Sequence, residues 1–311
     1  MQVTITGGTG SLAEYVANEL ADKHNLVLFD RVEAGQNRFQ YEPKGRLVVG
    51  DLTSFDDCQL AVEGSQAVIH LGAIPYPVDH PDSIRRAQET GRPLLPWDET
   101  MRVNTMGTYY LLEAAKRAGV KTVVAASSNC VLGHGFRISG TPFPIEYLPI
   151  DEAHRLDFED SYSLSKHLNE DTLQAYSRAY GMHCYALRPA GVNRREMLEA
   201  FAKEYKQPEE WSDWLFAYVD IRDMARAFRM CLEASEGMPP FEAFYCNAAD
   251  TRLLEDTRSF VARKRPDLLP KLRGIEGRGS LISTAKAERM FGWKPEHSWT
   301  EFLPAGARVA R

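Results

Sequence analysis

Tyr162 and Lys166 open and close the segment Tyr162-Ser163-Leu164-Ser165-Lys166, and they carry the two groups that proton exchange at an alcohol carbon requires. A phenol alone is a poor base near neutral pH, with a pKa of about 10. On a helix, a spacing of four places phenol and ammonium on one face about one turn apart. The positive charge is then expected to favour phenolate and bring Tyr162 toward the working range of an acid-base catalyst. Such a pair also arises by chance, so its meaning depends on the elements that position it.

The segment Thr6-Gly7-Gly8-Thr9-Gly10-Ser11-Leu12-Ala13 lies between the apolar run Val3 to Thr6 and a helix candidate starting near Leu12. Tight turning there needs residues without a Cβ penalty, and Gly7 and Gly10 let the backbone approach a pyrophosphate at a helix start, where free N–H groups and the macrodipole favour negative charge. Ala13 occupies the third glycine position and is small enough for close helix-strand packing. Asp30 closes the second apolar run, placed to accept hydrogen bonds from a ribose diol. Loop and acid together point to NAD in preference to NADP. A 2′-phosphate beside Asp30 would be repelled, and Arg31 would offset this only in part.

The apolar runs Val3 to Thr6, Leu26 to Phe29, Leu47 to Val49, Ala67 to Leu71 and Thr122 to Ala126 alternate with helix candidates at Leu12 to Asp22, Ser54 to Val62 and Glu99 to Ala118. This rhythm predicts an α/β fold, a Rossmann-type doubly wound parallel sheet. The helix bearing Tyr162 and Lys166 is expected to continue to about Tyr180, followed by a strand at Cys184 to Leu187 that halts at Arg188-Pro189. Residues 1–189 are read as the dinucleotide-binding core with the catalytic residues. Residues 190–311 are read as a mixed region, with a small, mainly helical substrate lobe over 190–217, a helix at Glu196 to Glu210 bearing Trp211 and Trp214, and later elements returning to the core. The proline-rich connection 74–98, with a short helix near Asp82 to Glu89, is far longer than usual and reads as a wall at the carboxyl edge of the sheet.

With 311 residues, 44% hydrophobic and 26% charged, the chain can bury a large core. Its net charge of −6 is interspersed, with no Lys/Arg block to suggest a nucleic-acid surface, and no run approaches membrane-spanning length. The start Met1-Gln2-Val3-Thr4-Ile5 reads as a strand rather than an export signal. Five scattered cysteines without C-x-x-C spacing indicate reduced thiols and a cytoplasmic chain, and eight dispersed histidines suggest no metal. The expected partner is a small-molecule substrate.

Several motifs in one order resemble the extended branch of the short-chain dehydrogenase/reductase family, of the NAD-dependent epimerase/dehydratase type. They are the loop Thr6 to Ala13, Gly50-Asp51-Leu52, His70-Leu71-Gly72-Ala73, Asn104 within Val103 to Thr108, Ser127-Ser128-Asn129, the Tyr162/Lys166 pair, and Ser283-Thr284-Ala285-Lys286 with Phe291-Gly292-Trp293-Lys294-Pro295. The resemblance implies that Gly7, Gly10, Ser11, Leu12, Asp30, Arg31, Asp51, Leu52, Leu71, Gly72, Ala73, Asn104, Tyr162, Lys166 and Pro189 contact NAD. It implies that Ser128 hydrogen-bonds the reacting oxygen, Tyr162 exchanges its proton, and Lys166 lowers the phenol pKa and binds the nicotinamide ribose. Substrate contacts are expected from Ser128, Asn129, Tyr162, Pro75, Asn193 and Arg195. The apolar face of Glu99 to Ala118 resembles the helix through which many relatives form homodimers.

Departures from the family narrow the reaction. Val131-Leu132-Gly133 replaces the usual Val-Tyr-Gly, Ala190-Gly191-Val192-Asn193-Arg194 lacks the Asn-x-Tyr-Gly-Pro run, and only Trp211 to Ala217 precedes Tyr218-Val219-Asp220-Ile221-Arg222-Asp223. A nucleotide-diphosphate grip is therefore poorly supported, whereas Ser127-Ser128-Asn129 is similar to the corresponding segment of uronate dehydrogenases. A sugar acid would need a cation, for which Arg194 and Arg195 are candidates. The favoured expectation is an NAD-dependent dehydrogenase acting on a carbinol or lactol of a sugar or sugar acid. The alternatives are a nucleotide-sugar 4-epimerase or dehydratase with tightly bound NAD and, less favoured, a non-catalytic nicotinamide-binding regulator.

Overall fold

Apolar runs that lack polar alternation belong to strands covered on both faces. In the computed structural model, which describes residues 1–32 and 41–304, the expected runs form such strands, except that the edge strand at 46–49 is only partly covered. The chain begins with β1 (Gln2–Thr6), α1 (Ser11–Leu20), β2 (Asn25–Asp30), β3 (Arg46–Val49), α2 (Phe55–Val62) and β4 (Ala67–His70). It continues through α3 (Pro81–Glu89), α4 (Glu99–Met101), a π turn at Arg102–Met106, α5 (Gly107–Ala118), β5 (Thr122–Ala126), α6 (Ser161–Tyr180) and β6 (His183–Pro189). Beyond these lie β7 (Val192–Asn193), α7 (Arg195–Lys203), β8 (Val219–Asp220), α8 (Ile221–Glu233) and β9 (Phe241–Cys246).

Seven strands form one parallel sheet in the order β3-β2-β1-β4-β5-β6-β9. Successive side chains alternate between two cores. Ile69, Val124, Tyr185 and Leu187 face α1 and α8, while Val68, Val123, Cys184 and Ala186 face α2, α5 and α6. The strand order reverses between β1 and β4, whose ends are in register at Thr6 and His70. Their following loops, at 7–10 and 71–74, emerge side by side at the carboxyl edge, where open α/β sheets bind ligands.

The seventh strand, β9, comes from beyond residue 189 and pairs with β6 from Cys184–Phe241 to Pro189–Cys246. This is an element returning to the core. The lobe helix is shorter than expected, since α7 ends at Lys203 rather than near Glu210. Pro208 lacks an N–H and disfavours helix in the residue before it, so Trp211 and Trp214 lie off the helix, Trp214 in a turn. The reading of 190–311 runs past the described residues at 305–311. The long connection carries its short helix, α3, capped by His80, whose Nδ1 accepts from Asp82 N at 3.1 Å. Its base is fixed by Thr100, which accepts from Val78 N and donates to Tyr76 O.

Candidate active site

The glycine-rich turn leaves no room for side chains. Gly7 has φ +65°, and a Cβ there would stand 2.9 Å from the Cα of Gly72 on the adjacent loop. Gly10 donates to Gly7 O at 2.8 Å and begins α1 without a side-chain cap, the arrangement that a pyrophosphate completes. Beside the turn is a cavity of about 270 Å³ lined by the predicted Gly7, Gly10, Asp30, Arg31, Asp51, Leu52, Leu71, Gly72 and Ala73. Phe29, Ile74 and Val103 also line it. These three and Gly50, which lines it too, were not among the predicted contacts, although each adjoins a residue that was. Asp30 is fixed against the turn, with Oδ2 accepting from Thr9 N at 3.0 Å and Thr9 Oγ1 at 2.9 Å. A cradle that any Cβ would fill, an uncapped helix start and a carboxylate ending β2 fit an adenine dinucleotide.

Ser128, Tyr162 and Lys166 meet where β5 ends against the first turns of α6, and all three are buried. Asp160 caps α6, accepting from Ser163 N at 2.8 Å and Ser163 Oγ at 2.6 Å, which fixes the turn bearing Tyr162. One turn on, Lys166 Nζ lies 5.8 Å from the Tyr162 ring centroid and donates to Ala126 O at 2.8 Å, tying helix to strand. Ser128 Oγ accepts from Cys130 N at 3.1 Å, and the nearby Ser128 side chain opposes the rise in the phenol's pKa. That rise corrects the expectation drawn from Lys166. Burial pushes the phenol up and lowers Lys166 to about 8, because desolvation is the largest influence on each group while the ammonium is turned to a backbone carbonyl.

The model of the family described as "NAD dependent epimerase/dehydratase family" matches residues 3–246. The chain belongs to this family. It is 31% identical over 203 residues to a uronate dehydrogenase of Pseudomonas syringae pv. tomato, covering 63% of each chain. It is 24% identical to a UDP-glucose 4-epimerase of Streptococcus mutans, covering 99% of this chain and 96% of that one. The match spans only 55% of the length of a relative from Methanocaldococcus jannaschii. Among solved structures, a short-chain dehydrogenase/reductase superfamily protein from Agrobacterium tumefaciens with bound NAD has a TM-score of 0.67 at 21% identity, covering 99% of this chain and 96% of that one. The cofactor of this family is NAD, and the cavity beside the glycine turn has the lining to hold it.

Other predicted NAD contacts in this family member do not line the cavity with their side chains. The Ser11 hydroxyl accepts from Arg194 Nη1 at 3.0 Å, Leu12 packs on the sheet core, and Pro189 is buried at the end of β6. Asn104 acts through its neighbours. From the middle of the π turn, its Oδ1 accepts from Ile74 N at 2.8 Å and its Nδ2 donates to Ile74 O at 3.0 Å and Ser165 Oγ at 2.9 Å. It joins the cavity wall to the helix of Tyr162.

One side of Tyr162 meets an aromatic cluster. Phe136, at φ +51°, stands edge-on to Tyr162 at 6.2 Å and meets Trp214 at 5.4 Å and His80 at 5.8 Å. Behind it, Asn129 Nδ2 donates to His134 Nε2 at 3.1 Å, and burial lowers the His134 pKa to about 3, so the ring is neutral. His134 Nδ1 and His80 Nε2 are then N–H groups, buried without partners among the described residues. The sequence reading did not single out Phe136. The other three predicted substrate residues do not join this aromatic wall. Arg195 is exposed on α7 and paired with Glu199 at 2.6 Å, Pro75 is exposed on the long connection, and Asn193 Oδ1 accepts from Arg252 Nη2 at 2.8 Å. Arg194 is paired with Glu14 at 3.0 Å beside the glycine turn.

Proposed function

We propose that this enzyme is an NAD-dependent dehydrogenase that oxidises a carbinol or lactol of a sugar or sugar acid. The observation that carries the reading is the Ser128, Tyr162 and Lys166 set facing a wall of Phe136, Trp214, Asn129 and His134. Rings suit the apolar face of a sugar, and the amide and imidazole groups suit its hydroxyls. Ser128 would orient the substrate oxygen, Tyr162 would take its proton, and Lys166 would hold the nicotinamide ribose and favour phenolate once turned toward it. NAD, when bound, supplies the hydride acceptor. The uronate dehydrogenase relative supports this reading, and the five buried free thiols suit a reducing cytoplasm. Among the described residues no helix is long and apolar enough to cross a membrane. We further propose a homodimer formed through α5 and α6.

The test is NADH absorbance across a panel of hexoses, hexuronates, hexose phosphates and UDP-sugars. Turnover of a sugar or sugar acid is expected, with Tyr162→Phe lowering kcat by about 10²–10⁴-fold. NAD retained through purification together with UDP-sugar isomerisation and no net NADH would instead establish the epimerase reading, which the Streptococcus relative favours. Unchanged turnover in Tyr162→Phe would remove Tyr162 from the chemistry.

A further inference from the structure

Most guanidinium groups near the carboxyl edge of the sheet are matched by carboxylates. Arg194 pairs with Glu14, Arg195 with Glu199, and the buried Arg188 with Glu170 at 2.6 Å. Arg252 differs. No carboxylate of the described residues lies within ion-pair distance of it, its Nε is buried without a partner, and its one side-chain hydrogen bond runs from Nη2 to the neutral Asn193 amide. Its planar group lies over the rings of Phe201 at 4.8 Å and Tyr218 at 5.4 Å, so its position is set by packing. Burial without a counter-charge lowers its pKa. A partly buried cation without a counter-charge costs folding energy, and an anion joining it would offset that cost.

The surroundings suggest where such an anion would enter. Arg252 lines a cavity of about 560 Å³ with Phe201, Trp211, Trp214 and Phe216. Lys206, Glu209 and Glu210 also line it but are exposed, at its rim. Trp214 is the shared wall, contributing to this cavity while its ring meets Phe136, which in turn meets Tyr162. The turn beneath is strained, with Leu215 at φ +57° and Phe216 at φ +54°, and is held by Arg252 N donating to Phe216 O at 3.0 Å. Strained non-glycine backbone persists where the surroundings over-determine it, as they do in ligand clamps.

We infer that Arg252 is the oxyanion anchor of the substrate site, so that the preferred substrate carries a carboxylate or phosphate away from the carbon that is oxidised. This rests on the dehydrogenase reading, and it transfers to Arg252 the role that the sequence had suggested for Arg194 or Arg195. Asn193 serves as its positioning residue, fixing the guanidinium plane through Nη2.

The inference is tested on the full chain by calorimetric and tryptophan-fluorescence titration with glucuronate, glucose 6-phosphate, UDP and neutral glucose. At least one anion is expected to bind more tightly than glucose and to weaken with salt, and the preferred probe tells carboxylate from phosphate or diphosphate. Arg252→Ala is expected to weaken that anion about 10–100-fold, the value of a charge-assisted hydrogen-bonded pair, while glucose binding is unchanged. With a turned-over substrate the loss should fall on KM, with kcat within about threefold. If Arg252→Ala fails to fold, Arg252→Lys, which keeps the charge but not the fork, is expected to lose about tenfold. Undiminished anion binding in a folded variant, or no anion preferred over glucose, would overturn the inference. Anion binding lost in Arg252→Ala with no NADH from any sugar would keep the anchor and reject the dehydrogenase reading. NADH from neutral sugars, unaffected by the substitution, would do the reverse.

Discussion

Lys166 is a cation held where cations are unstable. Its pKa falls from 10.5 to about 8 on burial, which at about 1.4 kcal/mol per unit corresponds to roughly 3 kcal/mol against folding near neutral pH. The hydrogen bond to Ala126 O returns only about 1–2 kcal/mol. Lys166→Met, similar in length and without charge, is therefore expected to raise thermal stability at pH 7 by about 1–2 kcal/mol while abolishing turnover. The sign of the pH dependence follows from the folded pKa lying below the unfolded one. The penalty is complete below about pH 8 and fades toward about pH 10, so the wild type should gain on the variant over that range. Calorimetric melting of both proteins between pH 7 and 10 checks this. A variant less stable at pH 7, or a gap that does not narrow, would show that the ammonium stabilises the fold.

The helix that begins at Glu99 shows how a residue can support a site through its neighbours. Its π turn sets Asn104 between the loop after β4 and α6, and Ser165 passes the connection on by donating to Tyr162 O at 2.7 Å. Asn104→Ala leaves Ile74 N, Ile74 O and Ser165 Oγ short of a partner, so a loss of about 2–4 kcal/mol is expected, with a raised KM for NAD because Ile74 lines its cavity. Loss of stability with KM for NAD unchanged would confine Asn104 to a folding role. The sequence made the helix visible and named Asn104, yet its role depends on partners 30 and 61 residues away. Legibility followed the same rule elsewhere. Doubly buried strands and the glycine turn are local patterns and were found, whereas β9 was not named, since Phe241-Glu242 begins it half-exposed at the sheet edge. Arg195 was misplaced although its spacing of four from Glu199 on a helix already signalled a surface pair. Arg252 was missed because an absent counter-charge is visible only in three dimensions.

At the scale of the molecule, the exposed apolar side chains are unevenly spread. Met106 is 42%, Tyr109 46%, Leu164 36%, Leu168 36% and Tyr180 53% exposed, all on α5, α6 and the π turn leading into α5. Tyr109, Tyr176 and Tyr180 form a continuous aromatic strip, with ring centroids 6.3 and 5.2 Å apart. The proposed homodimer would place this face against its own copy, a self-complementary contact that needs about 800 Å² from each partner to be stable. Its other side packs on the sheet and bears Tyr162 and Lys166, so the dimer would brace the catalytic helix without covering the cofactor cavity. A dimer is therefore expected in sedimentation or light scattering. Replacing Tyr109 and Leu168 together by Glu should yield a monomer, by setting like charges in a desolvated contact. Leu60→Glu, at a comparably exposed apolar residue on α2, should leave the dimer intact. A dimer that survives the double substitution, or one broken equally by Leu60→Glu, would move the interface elsewhere. A wild-type chain that is monomeric at micromolar concentration would leave this face as surface and α6 braced by its own sheet alone.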